Sequence, residues 1–313
     1  MRLLRLLPPN ARHILWHWLK YWRSLPGNAR GAIWVLLAAF IGASMSALIK
    51  FVGQRIPVFE ILFIRQLIVV AIIAPIVFHK RRVVLKTTMM RYHIMRGGFA
   101  AVAMATGFAA LVHMPLAEAT AISFAKTLFM TILAIIFLGE NVGPRRWTVT
   151  LIGFVGVLII IRPGTEAMNI YSVLALISSL FVAGIMIVLR KLSQVESAST
   201  IMAYQSCFVT IAMLGPAIYF WVIPTWHELA IILVIGMLMS NMQWVMIQGL
   251  KAAEAVAIAP IEYARLLFVT VIGVLFFAEI PSLWTLSGSL LIIVSTLYTI
   301  RRNAVVKDTM GSK

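Results

Sequence analysis

Lys126 and Arg265 are the residues best placed to do chemistry in this chain, because each is a cation near the middle of a long apolar run. A charged side chain at that depth in a hydrocarbon layer is expensive and is retained where it meets an ion or a solute. The two runs are copies of one another. AEATAISFAKTLFMTILAIIFLGE covers 117–140 and AEAVAIAPIEYARLLFVTVIGVLFFAE covers 253–279, sharing an A-E-A-x-A-I start, the central cation, a following Leu-Phe and a closing Glu. Each cation lies about 11 residues from the ends of its run, or roughly 16 Å at a helical rise of about 1.5 Å per residue, which is beyond the reach of snorkelling.

The surrounding polar residues define what such cations would do. Glu262 precedes Arg265 by three residues and shares its helical face, so it partly neutralises the guanidinium or acts as a proton-binding carboxyl. The guanidinium fork itself suits a carboxylate or phosphate. Lys126 has no acid one helical turn away; it either pairs with Glu262 or Glu60 on another helix or faces substrate, and substrate contact is the preferred reading. Arg65 has Glu60 five residues earlier, a poor spacing for a direct pair, and reads equally as cavity lining or as a structural arginine bonding carbonyls. Asn241 and Gln243, close to Ser240 and Gln248, and Gln205 beside Tyr204 place amides inside apolar runs, where they bond between helices or touch solute. The predicted substrate site is therefore Lys126, Arg265, Arg65, Glu262, Tyr263, Asn241, Gln243 and Gln205, with Glu262 the candidate proton carrier. The six histidines are scattered without metal-ligand spacing, and the single cysteine, Cys207, reads as a packing residue. No glycine-rich phosphate loop follows a strand, so no nucleotide, metal or other cofactor is expected.

The elements that must position these residues are membrane helices. Of 313 residues, 62% are hydrophobic and 12% charged, and the mean hydropathy is +0.98. Spans of roughly 20 apolar residues are predicted near 31–50, 57–79, 92–113, 115–138, 146–162, 169–190, 200–223, 228–250, 255–278 and 283–300. Their connections are too short for an extramembrane domain. The net charge of +17 does not indicate nucleic acid, because the cations alternate: they crowd before the first span, at 80–91, 145–146, 190–191, 251 and 301–307, leaving only Lys50, Arg55 and Arg162 on the other side. That bias places both termini in the cytoplasm. Residues 1–29 read as a cytoplasmic basic amphipathic segment, an interfacial helix whose tryptophans and cations bind anionic lipid.

The copied runs extend to halves, at 30–163 and 164–303, with a cytoplasmic tail at 304–313. Ala74-Pro75-Ile76-Val77-Phe78 is echoed by Gly215-Pro216-Ala217-Ile218-Tyr219-Phe220, and Ala-Leu-Ile-Lys50 by Ile-Val-Leu-Arg190. Five spans per half, an odd number, insert the second half upside down and bring Lys126 and Arg265 to opposite walls of one central space. The fold class is thus all-α membrane protein, ten transmembrane helices as two inverted five-helix repeats. Several motifs, in this order, resemble the drug/metabolite transporter superfamily in its ten-helix EamA-type branch: Arg65 within Phe59–Arg65, Leu138-Gly139-Glu140, Gly153-Phe-Val-Gly156, Arg162-Pro163-Gly164, Pro260-Ile-Glu-Tyr263, Ala278-Glu279 and Gly288. The resemblance covers about residues 30–303. It implies a cavity lined by the first four spans of each half, alternating access and no enzymatic activity. The expected function is secondary transport of a small anionic or zwitterionic metabolite in a bacterial inner membrane, as monomer or homodimer. The rivals are export of cationic or amphipathic compounds through Glu262 and an aromatic lining, and an intramembrane lipid-modifying enzyme, which the lack of a catalytic carboxylate pair disfavours.

Overall fold

The computed structural model describes residues 25–79, 86–138, 144–165, 168–252 and 259–295. The expected N-terminal interfacial helix and C-terminal tail lie outside them, as does Glu140. All regular structure among the described residues is helical: α1 (Gly27–Val52), α2 (Val58–His79), α3 (Met90–His113), α4 (Leu116–Ser123), α5 (Lys126–Leu138), α6 (Pro144–Ile161), α7 (Ile170–Leu192), α8 (Ala198–Tyr219), α9 (Trp226–Ala252), a 3-10 turn (Ala259–Tyr263), α10 (Ala264–Phe277) and α11 (Leu283–Ser295). Seven stretches are long and apolar enough to cross a membrane: α1, α2, α3, α4 with α5, α7, α8 and α9. Apolar runs take this form because a backbone in hydrocarbon must satisfy its own hydrogen bonds.

Local sequence sets the ends and the irregularities. Asn169 caps α7 by accepting from Ser172 N at 3.0 Å, and Ser197 caps α8 by accepting from Thr200 N at 3.2 Å. Pro75 and Pro216 sit inside α2 and α8, each deleting a helical hydrogen bond near the same end of its helix. The two copied runs are both tightened at one point. Between α4 and α5, Phe124 N bonds Ala121 O and Ala125 N bonds Ile122 O, an i to i+3 pattern; in the other copy the 3-10 turn at Pro260 precedes α10. The cation stands at each tightening: Lys126, the first residue of α5, lies within the i to i+3 bonds that continue to Leu128, and Arg265, the second of α10, follows the 3-10 turn. Short 3-10 stretches within helices commonly mark hinges.

Counting α4 with α5, and the 3-10 turn with α10, as single stretches gives two runs of five among the described residues. The larger interfaces between helices find counterparts when the runs are exchanged, while smaller ones such as α1–α3 do not. The α3–α7 interface is matched by α9–α1, the α8–α3 interface by α2–α9, and α4 and α5 against α7 by α10 against α1. The pairs α2–α8 and α4–α10 map onto themselves. So do α6 and α11, which meet at their glycines: a Cβ on Gly156 would lie 2.7 Å from the Gly288 carbonyl oxygen, and one on Gly288 2.5 Å from that of Gly156. Close approach of this kind is how helices associate without a hydrophobic drive between them. Ile49, Leu116, Ile122, Val269 and Ile292 fill the core between the runs, while Ile218, Leu275 and Phe276 face outward. Cys207 corrects the expectation of a packing residue. It is exposed, in a groove lined by residues of α2 and α8.

Candidate solute-binding site

A cavity of about 300 Å³ lies between α2, α3, α8 and α9. Gln66, Arg96, Gln205, Ser206 and Ser240 supply its polar wall, and Trp244 with three methionines the apolar one. Close helix approach brings Arg96 there: a Cβ on the next residue, Gly97, would meet the Phe208 side chain of α8 at 2.4 Å. The Arg96 guanidinium is buried, reaches the Ile201 carbonyl oxygen with one long bond of 3.4 Å, and leaves Nε without a hydrogen-bond partner. Arg65 stands directly behind the wall. Its Nη2 donates to Gln66 Oε1 at 3.4 Å and lies 3.2 Å from Met104 Sδ, both residues of the cavity lining, while its guanidinium sits 5.1 Å from the Phe108 ring centroid and Nε has no partner. Among the described residues neither guanidinium has a carboxylate within ion-pair distance. A buried cation without a counter-charge is a costly arrangement that a bound anion relieves.

On another face of α9 lies a second cavity of about 270 Å³, reaching α1 and lined by Glu262 and Arg265. Here the copied runs meet. Lys126 Nζ pairs with Glu262 Oε1 at 2.9 Å, and Arg265 Nη2 donates to Ser46 Oγ at 2.8 Å, which in turn donates to the Gly42 carbonyl at 2.9 Å. Gly42 packs against both neighbours: a Cβ there would press on Met242 Sδ at 3.1 Å and touch Arg265 Nε at 3.5 Å. The side chains of Lys126 and Glu262 are 30% and 42% exposed, so this pair borders open space and is not sealed in the core. Tyr263 meets Phe124 edge to face at 4.7 Å, joining the two tightened turns.

The structure therefore brings Lys126, Glu262, Tyr263 and Arg265 together at the join of the copied runs, and Arg65 and Gln205 at the first cavity. Of the two partners considered for Lys126, Glu262 is the one it meets; Glu60 is buried elsewhere, accepting from Val222 N at 3.0 Å. Asn241 is exposed while its neighbour Ser240 lines the cavity, the consequence of a rotation of about 100° per helical residue. The Gln243 side chain lies outside the described residues. Arg96, Gln66 and Ser46 were not singled out by sequence. Arg96 falls within the predicted span 92–113, just past the basic cluster at 80–91, and the signal that distinguishes it is the Gly97-Gly98 pair that follows.

One end of the bundle is closed by bonds that cross between the two runs. Lys50 forms an ion pair with Glu279, whose other oxygen accepts from Leu116 N at 2.8 Å. Arg55 pairs with Glu228, and Thr285 Oγ1 donates to Glu118 Oε1 at 3.0 Å. The first cavity occupies the opposite half, where α2 and α9 end and α3 and α8 begin.

The EamA-like transporter family matches the chain twice, over residues 29–162 and 169–301. An S-adenosylmethionine uptake transporter of Rickettsia felis is 32% identical over 86% of this chain and 92% of its own length. A riboflavin transporter of Brucella anthropi is 27% identical over 85% and 97% respectively. One solved crystal structure, 16% identical, superposes with a TM-score of 0.56 over 84% of this chain and 95% of its own, and so shares the fold. With both runs of helices matched and relatives aligned along nearly their whole length, this membrane protein belongs to the EamA-like transporter family and is a carrier of small molecules, not an enzyme.

Proposed function

We propose that the chain takes up a small amino-acid-like metabolite bearing a carboxylate, with S-adenosylmethionine, whose carboxylate accompanies an ammonium and a sulfonium, as the first candidate, by alternating access in a bacterial inner membrane. The observation that carries this reading is the pair of buried guanidiniums, Arg65 and Arg96, at one cavity, neither with a carboxylate of its own among the described residues. An α-carboxylate supplies the missing charge, most directly to Arg96. The amides of Gln66 and Gln205 offer donors and acceptors for a heterocycle edge, and Trp244 a flat apolar face. An amino-acid-bearing nucleoside has all three features, and the relative from Rickettsia felis is named for one. Export of cations through Glu262 is less well supported, because Lys126 already occupies that carboxylate.

The exchange-related packing supports ten spans in two inverted repeats, and the alternation of basic connections supports both termini in the cytoplasm. In that orientation the basic connections lie at the hollow end and the Lys50–Glu279 end is sealed, an inward-facing state. The test is uptake of labelled S-adenosylmethionine by purified protein in liposomes, with competition by unlabelled analogues. Saturable uptake that decarboxylated S-adenosylmethionine fails to compete is expected. Equal competition by the decarboxylated compound would overturn the carboxylate assignment, and a failure of every amino-acid-like carboxylate to be transported would overturn the substrate class.

A further inference from the structure

A third cavity, of about 670 Å³ and larger than the two above, lies between α3, α5 and α7 and takes no part in the proposed solute path. Its body is apolar, formed by Phe99, Leu133, Phe137 and Phe181 among others, and two cations, Arg91 and Lys191, stand at one end. Those cations lie at the first turn of α3 and the last turn of α7, the end where the basic connections cluster. From Lys191 to Leu180, at the far side of the lining, is roughly 16 Å at about 1.5 Å per helical residue. Gly184 sets the depth. The Phe99 ring rests against it, such that a Cβ there would meet two ring carbons at 3.0 Å, and Phe99 contacts Phe181 edge to face at 5.4 Å.

We infer that this groove holds one acyl chain of an anionic phospholipid, with the lipid phosphate between Arg91 and Lys191. Tyr92 aligns the two cations: its ring centroid is 5.4 Å from Arg91 Cζ and 5.8 Å from Lys191 Nζ. Neither cation has a carboxylate partner among the described residues, so the charge at the mouth is open to an outside anion. Charge complementarity selects the lipid over a second protein copy, because the mouth sits where phosphate headgroups lie and the body where acyl chains lie. The repeat does not demand such a groove. The exchange-related position, between α1, α9 and α10, holds the smaller cavity with Glu262 and Arg265.

The full-length protein in detergent tests this by thermal melting and native mass spectrometry with phosphatidylglycerol, phosphatidylcholine of the same chains, and glycerol phosphate. Phosphatidylglycerol is expected to be retained and to raise the melting temperature, phosphatidylcholine less so, and glycerol phosphate not at all. Arg91→Gln with Lys191→Gln should weaken phosphatidylglycerol by about 25-fold, at about fivefold for each charge, and abolish its advantage over phosphatidylcholine. Leu133→Trp, which fills the apolar body, should reduce retention of both lipids. Equal retention of the two lipids by the unmodified protein would overturn the proposal, as would stabilisation by glycerol phosphate alone or a headgroup preference that survives loss of both cations. The comparison of lipids on the unmodified protein stands even where a variant fails to fold.

Discussion

Replacing Arg96 with methionine is expected to raise stability or leave it unchanged while removing transport, and the two effects have separate origins in the structure. The guanidinium is buried, holds one long bond of 3.4 Å to the Ile201 carbonyl and has an unpartnered Nε. A neutral hydrogen bond contributes about 1 kcal/mol, while keeping an uncompensated ion out of water costs several kcal/mol after relaxation. Methionine fills a similar length without the charge, so the variant should be as stable as the parent or more so by about 1–3 kcal/mol. For transport the sign reverses. Truncating one partner of a desolvated charge pair costs about 2–5 kcal/mol, which is a rise in KM of about 30-fold to more than 1000-fold at about 1.4 kcal/mol per factor of ten. Melting curves in detergent and initial uptake rates in liposomes measure the two separately. Arg96→Lys, which keeps charge but loses the fork, should fall between. If melting temperature and uptake fall together in Arg96→Met, the residue is structural, and a KM within threefold of the parent removes it from the solute site.

The double variant Lys126→Met/Glu262→Gln should melt within about 1 kcal/mol of the parent, because a pair exposed to this degree contributes little net stability, yet lose uptake; retained uptake would reduce the pair to a structural strut. Gly156→Ala and Gly288→Ala each place a Cβ against the other helix's carbonyl, at 2.7 and 2.5 Å, and should each cost about 1–3 kcal/mol. Both demand the same separation of α6 and α11, so the double variant should cost well under the sum, and additive losses in melting would contradict the mutual contact. Lys50→Met removes the buried partner of Glu279 and should destabilise the sealed end by about 3 kcal/mol; thiol labelling of Gln54→Cys in a Cys207→Ser background should then accelerate, and unchanged labelling refutes a closing role.

What sequence shows of this molecule is whatever depends on pattern along one chain. The apolar runs announce the helices, and the copied runs at 117–140 and 253–279 single out Lys126, Glu262 and Arg265, which the fold indeed brings to one place. The Pro260 insertion is visible as an extra three residues, and it appears as the 3-10 turn before α10. Partner choice is not legible in the same way. Lys126 has two acids to choose from in sequence, and only the crossing of α5 with the turn before α10 selects Glu262 over Glu60. Rotation is lost for a different reason: in helices that are apolar all round, no amphipathic stripe tells inside from outside, so Asn241 and Cys207 read as interior while Ser240 is the one that reaches the cavity. Arg96, in the first two turns of its span, has nothing in sequence to separate it from an interfacial cation, and the Gly97–Phe208 contact is what shows that α8 covers it.

The symmetry of the packing and the asymmetry of the charges do different jobs in a carrier. The α3–α7 and α9–α1 interfaces are exchange partners, as are α8–α3 and α2–α9. In the proposed alternating-access cycle, a rearrangement that opens one set at the sealed end while closing its counterpart at the hollow end would trade like contacts for like, and the two states would lie close in energy. For states so matched, a ligand needs only a modest difference in affinity to move the population, about 2.7 kcal/mol to take it from even to about 99:1, half of what a reversal from 1:99 requires. The charges are where that difference arises. Lys126 and Arg265 each stand at a tightened turn, so a solute that draws on either cation acts on a point where the backbone already departs from the regular helix. Their unequal partners, Glu262 for Lys126 and Ser46 for Arg265, keep the halves from being energetically interchangeable at the site itself. A symmetric frame with an asymmetric centre lets one bound molecule bias a balanced equilibrium.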